Sequence, residues 1–161
     1  MPFYTNPSAT DISNIAYCGL EDNYMDELAA QIGRDKEKIT AEMIQKCLHL
    51  SLDGNIYTQV FYNKLNVAKA VFGLSHSGAV SYVEAKGLDP YMRAKWARAS
   101  RNLFKDLRHA TGLTPWCYSD SRNGKASRLL EWFKFKHIEQ KDISINGVIF
   151  YYYEHQLSVA K

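Results

Sequence analysis

Leu113-Thr114-Pro115-Trp116-Cys117-Tyr118-Ser119, then Asp120-Ser121-Arg122-Asn123-Gly124, then Lys125-Ala126-Ser127-Arg128-Leu129-Leu130-Glu131-Trp132-Phe133 follow one another with almost no slack. The first segment reads as a strand opened by a proline, and the polar run that follows closes it. In the third, Ala126, Leu129, Leu130 and Phe133 recur at intervals of three and four. That spacing puts them on one helix face and leaves Lys125, Arg128, Glu131 and Lys134 to water. Two strands then end the chain. Lys136 to Gln140 leads towards a turn at Asn146-Gly147, and Val148-Ile149-Phe150-Tyr151-Tyr152-Tyr153 is rich in β-branched and aromatic residues.

The run from Asn123 through Ala126, Arg128 and Leu130 to Phe135 resembles the N-x-x-A-x-R-x-L-x-x-L-G-F segment that closes GNAT-type acyltransferases, and like theirs it follows a strand. One letter departs. The glycine before the final phenylalanine is Lys134 here, so the helix must end another way. Over nearly its whole length the chain is also similar in layout to small GNAT-like proteins from the virion-assembly region of short-tailed bacteriophages, some of them internal virion or assembly proteins.

With 161 residues, 46% hydrophobic and 23% charged, the sequence predicts one compact domain, residues 1–161, with a sizeable core. No apolar run reaches the roughly 18 residues of a spanning helix, and Met1 to Pro7 lacks the basic lead and apolar core of a secretion signal. A soluble, non-secreted protein is therefore expected. Cys18, Cys47 and Cys117 are odd in number and far apart, which suggests buried free thiols rather than a disulfide framework or a zinc site. The histidines at 49, 76, 109, 137 and 155 show no ligand spacing, so no metal is expected.

Taken in order, Phe3-Tyr4-Thr5 reads as a short first strand. Thr10 or Asp11 then caps a helix with Ile12, Ile15 and Ala16 on one face, and Gly19 ends it. Asp22 caps a second helix carrying Tyr24, Met25, Leu28, Ala29 and Ile32, with Gly33 behind it. Thr40 caps a third, whose buried stripe is Met43, Ile44, Cys47 and Leu48. Residues 56–62 and 67–74 read as a hairpin and 79–83 as a further strand. A long helix spans residues 91–109, with Met92, Trp96, Ala99, Leu103 and Leu107 on its apolar face and Gly112 past its end. There are no internal repeats. The order predicts an α/β fold, a mixed sheet with helices on its faces. The resemblance makes it a GNAT-like mixed, splayed sheet, in which strands 79–83 and 114–119 lie side by side and part to admit an acyl thioester.

The resemblance implies acetyl-CoA as cofactor and assigns it to Ser81, Tyr82, Val83, Lys86, Gly87, Arg93 and Asn123. In the family the pyrophosphate sits on backbone N–H groups in an R/Q-x-x-G-x-G/A turn before the long helix. Here that turn reads Glu84-Ala85-Lys86-Gly87-Leu88-Asp89-Pro90. Gly87 is its only glycine, Asp89 brings a negative charge, and Pro90 removes an N–H. Lys86, Arg93 and Lys95 offer compensating charge or are solvated surface residues. Glu84 and Tyr118 are the candidates for catalytic base and acid. The alternative is that Glu84 marks where a strand meets water and that Tyr118 is a core aromatic.

The formal net charge of +3 does not by itself imply nucleic acid, but the long helix carries six cations against Asp106, or +5. A solvated face explains that pattern, and phosphate contact is the competing reading. Tyr151-Tyr152-Tyr153 with Trp132, Phe133 and Phe135 leaves one hairpin face as either an exposed aromatic contact surface or a covered one. Glycines in a cofactor loop do little for stability, so their replacement is what loss of acyl-CoA binding would leave behind. The resulting expectation is a phage internal virion or morphogenesis protein, present in the host cytoplasm and packaged in the virion, with other virion proteins as partners. The alternative is an active N-acyltransferase using acetyl-CoA or a related thioester.

Overall fold

A computed structural model describes residues 7–157. The helical first third opens with α1 (Ala9–Cys18), capped not by Thr10 or Asp11 but by Ser8. The Ser8 hydroxyl accepts the Asp11 N–H while the Asp11 carboxylate accepts that of Ser8. Then come α2 (Asp22–Ile32), ended by Gly33 in the left-handed region, and α3 (Ala41–Leu52), capped by the Thr40 hydroxyl. The strand expected at Phe3-Tyr4-Thr5 lies outside the described residues.

Strands β1 (Tyr57–Tyr62), β2 (Ala68–Leu74) and β3 (Val80–Glu84) form an antiparallel sheet in chain order. Side chains alternate across it. Val60 and Val71 pack on Ile12, Ile15, Ile44 and Leu48 of α1 and α3, whereas Phe61, Phe72 and Leu74 join the aromatic core on the other face.

The predicted helix 91–109 is in fact two, α4 (Pro90–Ala99) and α5 (Leu103–Thr111). Between them Ser100 and Asn102 sit near φ −95° to −100° with ψ close to zero, and the Leu103 N–H bonds the Ser100 carbonyl. Ser and Asn compete for backbone partners and so favour a turn at such a point. The break lets Leu103, Phe104 and Leu107 of α5 enter the core.

β4 (Trp116–Asp120), α6 (Gly124–Trp132), β5 (Phe135–His137), β6 (Ile143–Ile145) and β7 (Val148–His155) complete the chain. The C-terminal sheet has β4 on one edge of β7, while β5 and β6 pair in succession with its other edge, separated by a short 3₁₀ turn at Glu139–Lys141. Three strands therefore follow α6 where the sequence suggested two. Lys134 resolves the missing glycine by taking the left-handed conformation itself, at φ 71°, and its N–H bonds the Glu131 carbonyl.

β3 and β4 are neighbours and parallel, as expected, but they touch only at their first residues. Ala79 bridges Trp116, and the Trp116 N–H donates to the Gly78 carbonyl at 2.9 Å. At that point a Cβ on Gly78 would lie 2.5 Å from the Thr114 carbonyl oxygen, so the close approach excludes any side chain. Beyond it the strands part, and the two sheets are separate.

Candidate functional site

The parting of β3 and β4 opens a cavity of about 340 Å³. Ser81, Tyr82 and Val83 border it on one side, Cys117, Tyr118 and Ser119 on the other. The apolar face of α6, namely Ala126, Leu129, Leu130 and Phe133, lines it too, together with Trp96 of α4 and Tyr24, Glu27, Leu28 and Gln31 of α2. The walls are mostly hydrocarbon and aromatic, so any charge within them is poorly solvated.

Glu27 shows the consequence. Burial and then the Asp120 carboxylate push its carboxyl up from 4.5 to about 7, against a hydrogen bond from the Asp120 backbone and the charge of Arg122. Burial also pushes the Cys117 thiol up to about 12, with Glu27 adding to the effect. Ser119 is 4% exposed, and its hydroxyl has no partner among the described residues. Asp120, 1% exposed, is held by Arg122, which donates from Nε and Nη2 to its two oxygens and from Nη2 to the Asp26 carbonyl. Burial works against ionisation of Asp120, yet these bonds keep its carboxyl below the usual range.

Glu27 was missed in the sequence, although the signal is there. Tyr24, Glu27, Leu28 and Gln31 recur at i, i+3, i+4 and i+7, which sets a carboxylate within the inward stripe of α2.

The sequence candidates fall in three places. Ser81, Tyr82, Val83 and Tyr118 line the gap, with Tyr118 edge-on to Trp116 and Tyr152. Glu84, the last residue of β3, does not meet water but is 5% exposed and committed to an ion pair. Arg93 Nη2 donates to its Oε2 at 2.8 Å and Nε to its Oε1 at 3.0 Å, while the Tyr82 hydroxyl donates to Oε1 at 2.8 Å. Burial first, and then Glu84, holds the Tyr82 hydroxyl well above its ordinary value, so it stays a neutral donor. Lys86 and Gly87 are exposed on the loop after β3, and Gly87 has φ 76°.

Asn123 opens a second, more polar cavity of about 370 Å³, bordered also by Glu21, Glu84, Arg93, Lys125, Arg128 and Trp132. Its Oδ1 caps α6 by accepting the Ala126 N–H at 3.1 Å, and its Nδ2, buried, has no partner among the described residues. Tyr151, Tyr152 and Tyr153 are not a free aromatic face. Tyr152 and Tyr153 are buried, the latter donating to the Ser127 hydroxyl, and Tyr151 packs on His137. Nor are all three thiols buried, since Cys18 is exposed and Cys47 partly so. Among the described residues no group of His, Cys, Asp or Glu could hold a metal ion, and no helix is long and apolar enough to cross a membrane.

No family model matches this sequence, and no curated protein matches it. Solved structures do resemble the fold. The aminoglycoside acetyltransferase AAC(6')-Ib, solved with ribostamycin and coenzyme A, superposes with a TM-score of 0.67 at 9% identity, over 95% of this chain and 92% of that one. The ribosomal L7/L12 α-N-protein acetyltransferase RimL, solved with coenzyme A, gives 0.63 at 9% identity, over 94% and 92%. A GNAT-family acetyltransferase from Bacillus anthracis gives 0.63 at 12%, over 93% and 91%. The fold is that of GNAT acetyltransferases, a mixed α/β architecture with a splayed sheet.

Whether the residues present suit the acyl-CoA pyrophosphate is a question of donors. A phosphate at this loop needs unspent backbone N–H groups and a positive helix end. The Ala85 N–H donates to the Lys69 carbonyl and that of Lys86 to the Gly19 carbonyl, because the α1–α2 link straps across the end of β3. Pro90, first residue of α4, has no N–H, and that of Tyr91 donates to Asp89 Oδ1 at 2.9 Å. The carboxylate thus stands where a phosphate would, and Arg93 is spent on Glu84. Of the loop's backbone donors, only the N–H groups of Gly87, Leu88 and Asp89 are left without a hydrogen bond among the described residues, so a pyrophosphate would rest on these three, with no N–H free at Pro90 or Tyr91 and the Arg93 guanidinium already engaged.

Proposed function

We propose that this chain is a GNAT-fold protein of a short-tailed bacteriophage, an internal virion or morphogenesis protein that has given up the acyl-CoA site. It acts in the host cytoplasm and in the particle, through other virion proteins rather than through a cofactor. The observation that carries this reading is the start of α4, where Asp89 caps the helix and Pro90 leaves no N–H for phosphate. The similarity in layout to phage GNAT-like proteins supports the biological setting. Isothermal calorimetry with acetyl-CoA should give no binding heat at millimolar ligand, and mass spectrometry of purified particles should find the chain at a fixed copy number. Micromolar binding would overturn the loss of the cofactor site. Absence from particles and from assembly intermediates would overturn the virion role.

A second reading, N-acyl transfer from acetyl-CoA or a related thioester, is favoured by Glu27. A carboxyl ionising at about 7 inside the gap between β3 and β4 is poised to take a proton from an amine at neutral pH. A thioester-dependent acylation of amines that Glu27→Gln abolishes, in a variant that melts like the parent, would establish it.

A further inference from the structure

Charge in this chain is segregated. Residues 90–134 hold ten of its 20 Lys and Arg but only three of its 17 Asp and Glu, so this segment carries +7 and the remainder −4. These residues build α4, α5, β4 and α6, and of these elements α4 and α6 border the second cavity. Arg93, Lys125 and Arg128 border it, and Trp132, 41% exposed, closes one end with the Arg101 guanidinium 5.9 Å from its ring centre. Arg101 lies in the turn between α4 and α5, and Arg98 and Lys105 are exposed on the two helices it joins.

The acids nearby are few. Glu84 is neutralised by Arg93, Glu21 borders the cavity, and Asp106 and Glu131 are exposed on α5 and α6. Asn123, which borders the groove, is 3% exposed, and its buried Nδ2 has no hydrogen-bond partner among the described residues.

We propose that this groove binds single-stranded nucleic acid, its phosphates lying against Lys125, Arg128 and Arg101 and a base stacking at Trp132. Complementary charge alone would suit any polyanion. The exposed indole beside a guanidinium narrows the choice, because stacked bases use such a platform and carboxylate side chains do not. Concavity points the same way, since a groove closed by an indole admits an unpaired strand more readily than a duplex. The groove shares Arg93 and Asn123 with the residues that the resemblance assigns to acetyl-CoA, so this inference rests on the proposed loss of that site, which calorimetry with acetyl-CoA tests separately.

Fluorescence anisotropy with a fluorescein-labelled 15-nucleotide oligothymidylate is the test. Saturable binding is expected in 50 mM salt. With three or four phosphates neutralised, affinity should fall about 20- to 50-fold on going to 200 mM salt. Lys125→Glu with Arg128→Glu, both exposed positions, should abolish binding without changing the far-UV circular dichroism. Trp132→Ala should weaken it at least about fivefold, as loss of one stacked base does. Three results would overturn the proposal: no saturation in 50 mM salt at about 100 μM protein, poly-glutamate competing as well as the oligonucleotide, or the charge-reversed variant binding like the parent.

Discussion

Replacing Glu27 by Gln keeps the side chain's shape and an acceptor for the Asp120 N–H, and removes only the ionisable group. In the folded chain that carboxyl ionises at about 7 instead of 4.5, chiefly because α2 buries it against the gap between β3 and β4. A group raised this far holds its proton in the folded state while the unfolded chain has already released it. Its contribution is complete below pH 4.5 and disappears as pH rises through 7. The full linkage amounts to about 3 kcal/mol. Glu27 is only half-buried, and solvent screening reduces this to about 1–2 kcal/mol. Glu27→Gln should therefore gain that amount over the parent between pH 5 and pH 8, measured as the difference in urea unfolding free energy at each pH. Using the difference cancels every other titrating group. A stability gap that stays constant across this range, or that moves against the variant at high pH, would refute the burial argument and with it the poised carboxyl.

His155 should dominate the acid limb: burial and then Arg108 hold its imidazole down at about 4 against an ordinary 6.5, so stability present above pH 6.5 is lost as pH falls to 4, by up to about 3 kcal/mol. Its ring lies among Phe104 and Phe135 with Nδ1 unpartnered, and urea melts of His155→Phe should lack this acid loss. Lys134→Gly should raise the unfolding free energy by about 0.5–1 kcal/mol, because the left-handed φ of 71° favours glycine; an unchanged or lower value would mean that the lysine side chain contributes at this site. Arg93→Ala leaves the Glu84 carboxylate buried without its cation and should cost about 3 kcal/mol in the same assay, most of it recovered by adding Glu84→Gln.

The elements that the sequence made legible are those that one period can describe. The stripe on α6, the caps at Thr40 and Gly33 and the β-rich run of β7 each follow from neighbours within one or two turns. Where two backbones had to meet, local pattern was insufficient. Ser8 takes the cap expected at Thr10 or Asp11 because Asp11 can reciprocate from the third helical position. Ser100 and Asn102 interrupt an unbroken apolar repeat, since the repeat records which residues are inward but not whether the axis stays straight. The aromatic run at Tyr151-Tyr152-Tyr153 reads as surplus until Ser127 and His137, 24 and 14 residues before Tyr151, supply partners. Glu84 looked like a strand end meeting water, and only the return of α4 brings Arg93 across to enclose it.

The same distinction separates the fold from the cofactor site. The core-forming features, the α6 face and the C-terminal strands, must persist for the chain to fold at all, so their presence says nothing about chemistry. A phosphate loop is different, because its donors must stand unsatisfied until the ligand arrives, which costs stability in its absence. In this chain that cost has been removed at several points, while the N–H groups of Gly87, Leu88 and Asp89 stay open among the described residues. The strap from α1 to α2 takes the Lys86 N–H, Asp89 takes that of Tyr91, Pro90 has none, and Glu84 occupies Arg93. Each closure stabilises the ligand-free loop. An Asp cap alone contributes about 0.5–2 kcal/mol. A further donor without a partner among the described residues is Asn123 Nδ2, buried at the start of α6. In the nucleic-acid proposal, binding would rest on the exposed cations and indole of α6 rather than on N–H groups at the start of α4.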